Sequence, residues 1–209
     1  MFCGRDKEIA EAIGVLESGR SKSLPRLILV TGASGAGKSS LVCAGVVPRL
    51  DRKKWRIIGP LRPGRLAPTS RLARYVASHP DLGLDPISLR DLILNDPDLA
   101  FQELRNAFLR LAHSGGADAA VLLVIDQLEE VFVTDAEGDQ DRKIFHSLLR
   151  RLAATPDLPL VVLATMRSDV LEAFQRHPDW IDLPRELRQE FTLRPMPRPM
   201  DDSSHCVPC

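Results

Sequence analysis

One short stretch of this chain, residues 32–39, combines the residue types that bind a polyphosphate. It reads G-A-S-G-A-G-K-S and matches the pattern G-x-x-x-x-G-K-[ST]. Its glycines let the backbone wrap closely around phosphate groups and turn successive N–H groups towards them. Lys38 adds a positive charge for the β- and γ-phosphates, and the Ser39 hydroxyl is a ligand for Mg²⁺. The predicted phosphate-binding residues are Gly32, Ser34, Gly35, Ala36, Gly37, Lys38, Ser39 and Ser40.

The sequence on both sides of this stretch predicts the elements that hold it. Residues 27–30, L-I-L-V, have the pattern of a short buried strand, and residues 40–47 can continue as a helix. A glycine-rich turn that matches by chance is the alternative, and the strand and helix around the loop count against it. The sequence therefore predicts a nucleoside triphosphate at this loop.

A second group of polar residues follows the most strand-like segment, the apolar run at 120–125. Such a run is typical of a central parallel strand that is buried on both faces. Asp126 at its end is placed to hold Mg²⁺ directly or through water, and a strand-ending cap is the alternative. Glu129 or Glu130 could orient and deprotonate an attacking water, although acidic residues at such positions often only face solvent. The sequence does not choose between the two glutamates.

Arg167 follows another apolar strand, predicted over residues 160–165. An arginine there can contact the γ-phosphate, sense its hydrolysis or stabilise the charge that develops. A salt bridge with Asp169 is the alternative. Because polar groups at the carboxyl ends of parallel strands converge on one edge of the sheet, we favour the functional interpretation.

Strands alternate with helical segments along the rest of the chain. This alternation predicts an α/β fold in three layers, with a parallel sheet of about five strands flanked by helices. One strand should lie between the strand before the phosphate loop and the strand before Asp126. The further predicted elements are a helix with Ile9, Ala12, Ile13 and Leu16 on one face, a strand at 55–60, proline-broken helices within 61–119, a helix around 145–152 and a last strand at 190–193.

Three segments are expected along the chain. Residues 1–25 form an N-terminal helix with its preceding motif, residues 26–198 form the core, and residues 199–209 form a divergent, disordered tail. A length of 209 residues suits one α/β domain. Of the cysteines, Cys43 is expected to be a small buried residue, and the C-x-x-C at the C-terminus lacks a second ligand pair for zinc.

The composition argues against several classes of partner. Lys and Arg total 28, as do Asp and Glu, so the net charge gives no case for a nucleic acid or an anionic membrane. The basic run at 49–56 is short and has little aromatic interleaving. No apolar run approaches the roughly 20 residues that span a bilayer, and there is no secretory signal. We expect a cytoplasmic protein.

Several stretches, in order, resemble motifs of the STAND class of signal-transduction ATPases, and of its novel STAND group in particular. Residues 2–8 resemble F-x-G-R-[ED]-x-E, and residues 30–42 resemble V-T-G-x-S-G-x-G-K-S-S-L. Further matches are A-G-L-x-P-x-L at 44–50, R-P-G at 62–64, D-Q-F-E-E at 126–130 with Leu128 for phenylalanine, and x-R-x-D-F at 166–170 with Val170 for phenylalanine.

The resemblance implies an ATP-dependent switch that rests with nucleotide bound, senses a ligand through a C-terminal region and self-associates in its active state. It implies that Gly4 and Arg5 lie near the base or the phosphates, with an exposed charge as the alternative for Arg5. It also implies that Mg·ATP is bound by Lys38, Ser39 and Asp126, and that Arg167 is the first sensor. Family members usually continue into a helical lid, so the chain end predicts a truncated product or a fragment.

The sequence thus predicts a Mg·ATP-binding NTPase that hydrolyses slowly as a regulatory switch. Two other functions stay open. A small-molecule kinase has the right length and loop, but the carboxylates at 126–130 suit water activation, and no acceptor lid is recognisable. A catalytically inactive fragment that only binds nucleotide is the third interpretation.

Overall fold

A computed structural model of the chain describes residues 5–22, 24–116, 118–132 and 137–194. Its sheet has five strands in the order β2-β3-β4-β1-β5, and every adjacent pair is parallel. The predicted parallel sheet is confirmed, as is the strand between the phosphate-loop strand and the Asp126 strand. The strands are β1 (Leu27–Gly32), β2 (Trp55–Leu61), β3 (Ala120–Ile125), β4 (Leu160–Arg167) and β5 (Arg188–Thr192).

Helices connect the strands on both faces of the sheet. Two of them begin at an aspartate cap followed by a proline: Asp85 accepts a bond from Ser88 N at 2.7 Å, and Asp96 from Leu99 N at 3.0 Å. These caps explain why the prolines divide the helical region into separate helices. The helices are α1 (Asp6–Lys22), α2 (Lys38–Ser40), α3 (Pro68–Ala77), α4 (Pro86–Asn95), α5 (Pro97–His113), α6 (Asp139–Ala154), α7 (Leu171–Arg176) and α8 (Pro178–Ile181).

Shorter helical turns complete the described part of the chain. α2 continues into a π-helical turn, Leu41–Val46, and then into a 3-10 turn, Val47–Arg49. A plain helix was expected there, and the wider turn brings Gly45 against Ile9 of α1. The other 3-10 turns are Pro80–Leu82, Leu128–Val131, Ser168–Val170 and Arg185–Leu187.

The apolar core has two parts, one on each face of the sheet. Along β1, Leu27 and Leu29 face the cluster formed by α3 to α8, whereas Ile28 and Val30 face α1 and the Leu41–Val46 turn. This alternation within one wholly apolar strand is what a sheet covered on both sides requires. It confirms the three-layer fold, and α1 packs with its predicted face inwards.

Several strand boundaries differ from the prediction. β1 and β4 each continue two residues beyond their predicted ends, to Gly32 and Arg167. β2 was expected to close at Gly59-Pro60, but it resumes at Leu61 after a register shift against β3. Pro60 has no N–H for the ladder, so the strand bulges there instead of ending. β5 begins at Arg188, before the apolar residues that predicted it, because an edge strand needs fewer apolar residues.

The bulge in β2 depends on Gly59, and a side chain at this position would be strained. Gly59 has a φ of +111°, and a Cβ there would lie 2.4 Å from the Val124 carbonyl oxygen. Gly59→Ala should lower the free energy of unfolding by roughly 2–4 kcal/mol, measured by urea denaturation. Gly14→Ala is the control, since a Cβ at this α1 position meets nothing within 4 Å. It should be neutral or stabilising, and equal stability of the two variants would contradict the bulge geometry.

Candidate functional site

The strand order gathers the predicted site residues at one edge of the sheet. Since β4 lies between β1 and β3, the phosphate loop, Asp126 and Arg167 lie at the carboxyl ends of three adjacent strands. Gly32 at the end of β1 is in register with Arg167 at the end of β4. The expected convergence at the carboxyl edge is therefore present.

The phosphate loop depends on glycines for its conformation. Gly35 and Gly37 have φ angles of +75° and +87°, which side chains rarely adopt. Within the loop the ammonium of Lys38 is buried and donates to the carbonyl oxygens of Gly32 and Ala33, each at 2.9 Å. The lysine charge is thus held directly at the loop, and phosphate oxygens could replace these carbonyls as its partners.

Asp126 joins the loop helix to the two central strands. Its Oδ1 accepts bonds from the Ser39 hydroxyl at 2.6 Å and from the Thr165 hydroxyl at 2.8 Å. Thr165 also accepts a bond from the backbone N–H of Gln127 at 2.8 Å, which fixes the start of the segment after β3. Asp126 is nearly inaccessible, so its carboxylate has one orientation. No pattern in the sequence assigned a role to Thr165.

The donor set at this point fits a magnesium ion. A serine hydroxyl and an aspartate carboxylate are hard oxygen ligands of the kind that Mg²⁺ takes, together with water and phosphate oxygens. Near them, Oε2 of Glu129 is buried and has no hydrogen-bond partner in the described structure. A buried acceptor without a donor is costly unless a ligand or a water completes it.

The structure gives the two glutamates different surroundings. Glu129 lines the cleft, and burial raises the pKa of its carboxyl, although backbone N–H groups of Glu129 itself and Arg167 and the charge of Lys38 oppose the shift. Glu130 instead accepts a bond from the backbone N–H of Gly64 at 2.9 Å. With its amide nitrogen facing Glu130, Gln127 donates to the other carboxylate oxygen at 3.2 Å. Glu130 therefore holds the segment after β2 in place through Gly64, whereas Oε2 of Glu129 can accept a bond from a ligand.

Arg167 forms the salt bridge that the sequence left as its alternative. Its Nε and terminal nitrogen bond the two carboxylate oxygens of Asp169 at 3.0 and 2.5 Å. This pairing raises the pKa of the guanidinium, which is exposed to solvent. Arg167 also lines the cleft.

Arg5 is not the exposed charge that was the alternative for it. Only 3 % of the residue is exposed, and it donates to the carbonyl oxygens of Ala36 at 3.0 Å and Arg194 at 2.9 Å. These two bonds connect the phosphate loop to the segment that follows β5. Contact of Arg5 with nucleotide stays a prediction, and Gly4 lies outside the described residues.

The cleft has two connected lobes. The first, about 280 Å³, lies over the loop, and the second, about 460 Å³, extends beyond β3 and β4. The lobes share Ser34, Gln127, Glu129 and Arg167. The first is also lined by Gly35, Gly37, Lys38, Ser39 and Ser40. The second is also lined by Arg65, Glu130, Phe132, Asp169 and Val170.

A buried histidine supports the turn that carries the two glutamates. The Trp180 indole donates to Nδ1 of His146 at 3.1 Å, so Nε2 carries the ring proton and donates to the Val131 carbonyl at 3.1 Å. Val131 ends the Leu128–Val131 turn. Burial, with smaller effects of the charges of His177 and Arg142, lowers the pKa of His146 to about 4. The sequence placed residue 146 on a predicted helix but assigned it no role.

The fold and the site together define a P-loop NTPase: a parallel sheet in the order β2-β3-β4-β1-β5, a glycine-rich phosphate loop after β1, and a carboxylate after β3 that bonds the loop serine. The family model of Novel STAND NTPase 1 matches residues 1–202. The chain belongs to this family of nucleotide-binding NTPases.

Solved structures agree on the fold. The chain is similar to a Walker-type ATPase of Pyrococcus abyssi, with 17 % identity and a TM-score of 0.56, over 93 % of this chain and 54 % of that one. It is also similar to a chain in a structure of Drosophila ORC bound to AT-rich DNA and Cdc6, with 11 % identity and a TM-score of 0.53. That match covers 92 % of this chain and 57 % of that one, so the chain spans little more than half of either neighbour. Comparison with curated proteins finds no match.

Two further predictions concern membrane-spanning segments and the state of the cysteines. Among the described residues, no helix has the length and apolar character needed to cross a membrane. Cys43 is a free, half-buried thiol and is thus less buried than predicted. Cys3, Cys206, Cys209 and the tail at 199–209 lie outside the described residues.

The low pKa of His146 predicts a pH-dependent loss of stability. Well above pH 6.5 the ring is neutral in both states. Between about pH 6.5 and 4 the histidine is protonated in the unfolded chain but stays neutral in the folded protein. His146 should therefore account for a loss of roughly 3 kcal/mol across this range, measured by urea denaturation at successive pH values. His146→Gln, which does not titrate, should show a shallower pH dependence than the wild type.

The control for this prediction is His113→Gln, at an exposed position on α5. It should keep the wild-type slope. If His146→Gln also keeps that slope, the ring of His146 is protonated in the folded protein and the described tautomer is wrong.

Proposed function

We propose that the chain binds Mg·ATP and hydrolyses it slowly, so that the bound nucleotide acts as a regulatory switch. The observation that carries this proposal is the 2.6 Å bond between the hydroxyl of Ser39 and the carboxylate of Asp126, next to the buried ammonium of Lys38. It brings a magnesium ligand set and a phosphate-binding charge to one point.

Binding is assigned to the phosphate loop. Its backbone N–H groups from Gly35 to Ser39 hold the phosphates, and Lys38 exchanges the carbonyl oxygens of Gly32 and Ala33 for β- and γ-phosphate oxygens. Ser39 and Asp126 hold Mg²⁺, which neutralises phosphate charge when it is bound. Ser34 and Ser40 line the same lobe.

Hydrolysis is assigned to Glu129. Its unpartnered, buried oxygen lines the cleft, and the raised pKa of its carboxyl makes it a stronger base for the attacking water. Glu130 accepts a bond from the N–H of Gly64, and its role is only to position the Leu128–Val131 turn. Arg167 lines the cleft and is assigned to the γ-phosphate, and the bonds to Asp169 hold its guanidinium at the cleft in the described structure.

The switch and the self-association of the active state rest on family membership, not on contacts within this chain. The second lobe is open to solvent and is lined by both Arg167 and Glu129. A second copy seated there would exclude water from the reacting phosphate.

A small-molecule kinase is the second candidate. The observation in its favour is the same second lobe, about 460 Å³ in volume, which could hold an acceptor beside Glu129. Products distinguish the two functions, since a kinase needs an added acceptor to turn over ATP and the proposed switch releases inorganic phosphate without one. A nucleotide-binding fragment without turnover would bind ATP and give neither product.

The first test concerns Lys38. Lys38→Ala should weaken equilibrium binding of Mg·ATP by roughly 100-fold, because two charge-assisted bonds to phosphate are lost. Isothermal titration calorimetry measures the affinity. Lys53→Ala removes an exposed lysine and should bind as the wild type does. Equal affinities of the two variants would contradict the assignment of the phosphate site, and GTP titrated in parallel tests the choice of base.

The second test separates the two glutamates. Glu129→Gln should bind Mg·ATP within about threefold of wild type and release phosphate at least roughly 100-fold more slowly, because it cannot accept the water proton. Glu130→Gln keeps an oxygen for the N–H of Gly64, so turnover should fall by less than about tenfold. Steady-state phosphate release gives both rates. The reverse order of effects would show that Glu130 is the base.

A further inference from the structure

Arg62, the first residue after β2, contacts the aspartate assigned to the metal. Its Nε lies 3.1 Å from Oδ2 of Asp126. When the side-chain amide nitrogen of Gln127 faces Glu130, the amide oxygen of Gln127 accepts a bond from a terminal nitrogen of Arg62 at 3.1 Å. Oδ1 of Asp126 already accepts the hydroxyls of Ser39 and Thr165. Arg62 is therefore the cation that neutralises this buried carboxylate in the described structure.

The two partners differ in their freedom to move. The side chain of Asp126 is 7 % exposed and that of Arg62 is 55 % exposed. The backbone near Arg62 is anchored separately, since Gly64 N bonds Glu130 and the Arg65 carbonyl accepts a bond from Arg142 at 2.9 Å. The Arg62 guanidinium can thus turn into solvent while the segment that carries it stays in place.

The positive charge of Arg62 opposes the binding of a metal ion at Asp126. A divalent ion held by Ser39 and Asp126 would lie within a few ångströms of the guanidinium, and the two positive charges repel across a partly buried site where screening is weak. One carboxylate cannot give full neutralisation to both cations. Binding of the ion therefore favours displacement of Arg62 from Oδ2.

We propose that Arg62 is a built-in competitor of Mg²⁺ at Asp126, which sets the affinity for the metal and moves when the metal binds. This inference rests on the proposed function for the identity of the metal site. Arg62 stabilises Asp126 while the loop is free of metal, and only its half-exposed side chain turns away when the metal binds.

The test measures metal affinity without turnover. Mn²⁺ alone is titrated into the nucleotide-free protein and followed by the electron paramagnetic resonance of the free ion. Arg62→Gln keeps a hydrogen-bond donor for Asp126 but removes the charge, and it should bind Mn²⁺ roughly tenfold more tightly than wild type. Arg62→Lys keeps the charge and should remain close to wild type.

The matched control is Arg74→Gln, which removes the same charge from an exposed position on α3. It should change the Mn²⁺ affinity by less than about twofold, because an exposed charge is screened by salt. Unchanged affinity in Arg62→Gln, or an equal gain in Arg74→Gln, would overturn the proposal. Arg62→Ala extends the series only if its thermal unfolding shows a folded protein.

A second titration separates this inference from the proposed function. Binding of a fluorescent ATP analogue is measured while Mg²⁺ is raised, and Arg62→Gln should reach half-maximal binding at roughly tenfold less Mg²⁺ than wild type. If no variant binds the analogue, the proposed function fails and the Mn²⁺ titration still decides the role of Arg62. If all variants bind with the same Mg²⁺ dependence, the function stands and the inference about Arg62 is wrong.

Discussion

The hydrogen bond between Ser39 and Asp126 is the contact on which the rest of the site depends. It connects the helix that follows the phosphate loop to the end of β3, although β4 separates β1 from β3 in the sheet. The gap is bridged by Thr165 of β4, whose hydroxyl bonds the same carboxylate oxygen. Because Asp126 is buried and bonded by two hydroxyls, the loop, the central strand and the strand between them hold one geometry.

Other features of the site follow from the position of Asp126. The chain turns sharply after it into the Leu128–Val131 turn, which sends Glu129 into the cleft and Glu130 to the segment after β2. His146 holds the far end of this turn through the Val131 carbonyl. The second oxygen of Asp126 accepts a bond from the guanidinium of Arg62, so the charge of the aspartate is balanced by a half-exposed side chain rather than a buried one.

The fold was largely predictable from the sequence, because wholly apolar strands and a glycine-rich loop are local signals. The phosphate loop, Asp126 and the three-layer sheet need only neighbouring residues to be recognised. The differing surroundings of Glu129 and Glu130 were not predictable, since Gly64, which selects between them, is distant in the chain. The buried position of Arg5 and the pairing of Arg62 with Asp126 likewise depend on contacts across more than thirty residues. The direction of a side chain at a turn depends on tertiary contacts with residues that are distant in the sequence.

The most direct test of the proposed site is a crystal structure of the chain with Mg²⁺ and a non-hydrolysable ATP analogue. We expect the β- and γ-phosphates within the loop at 32–39, the ammonium of Lys38 on phosphate oxygens instead of the Gly32 and Ala33 carbonyls, and the metal at Ser39 and Asp126. A complex in which Lys38 keeps both carbonyl bonds, or in which the phosphates lie outside the loop, would contradict it.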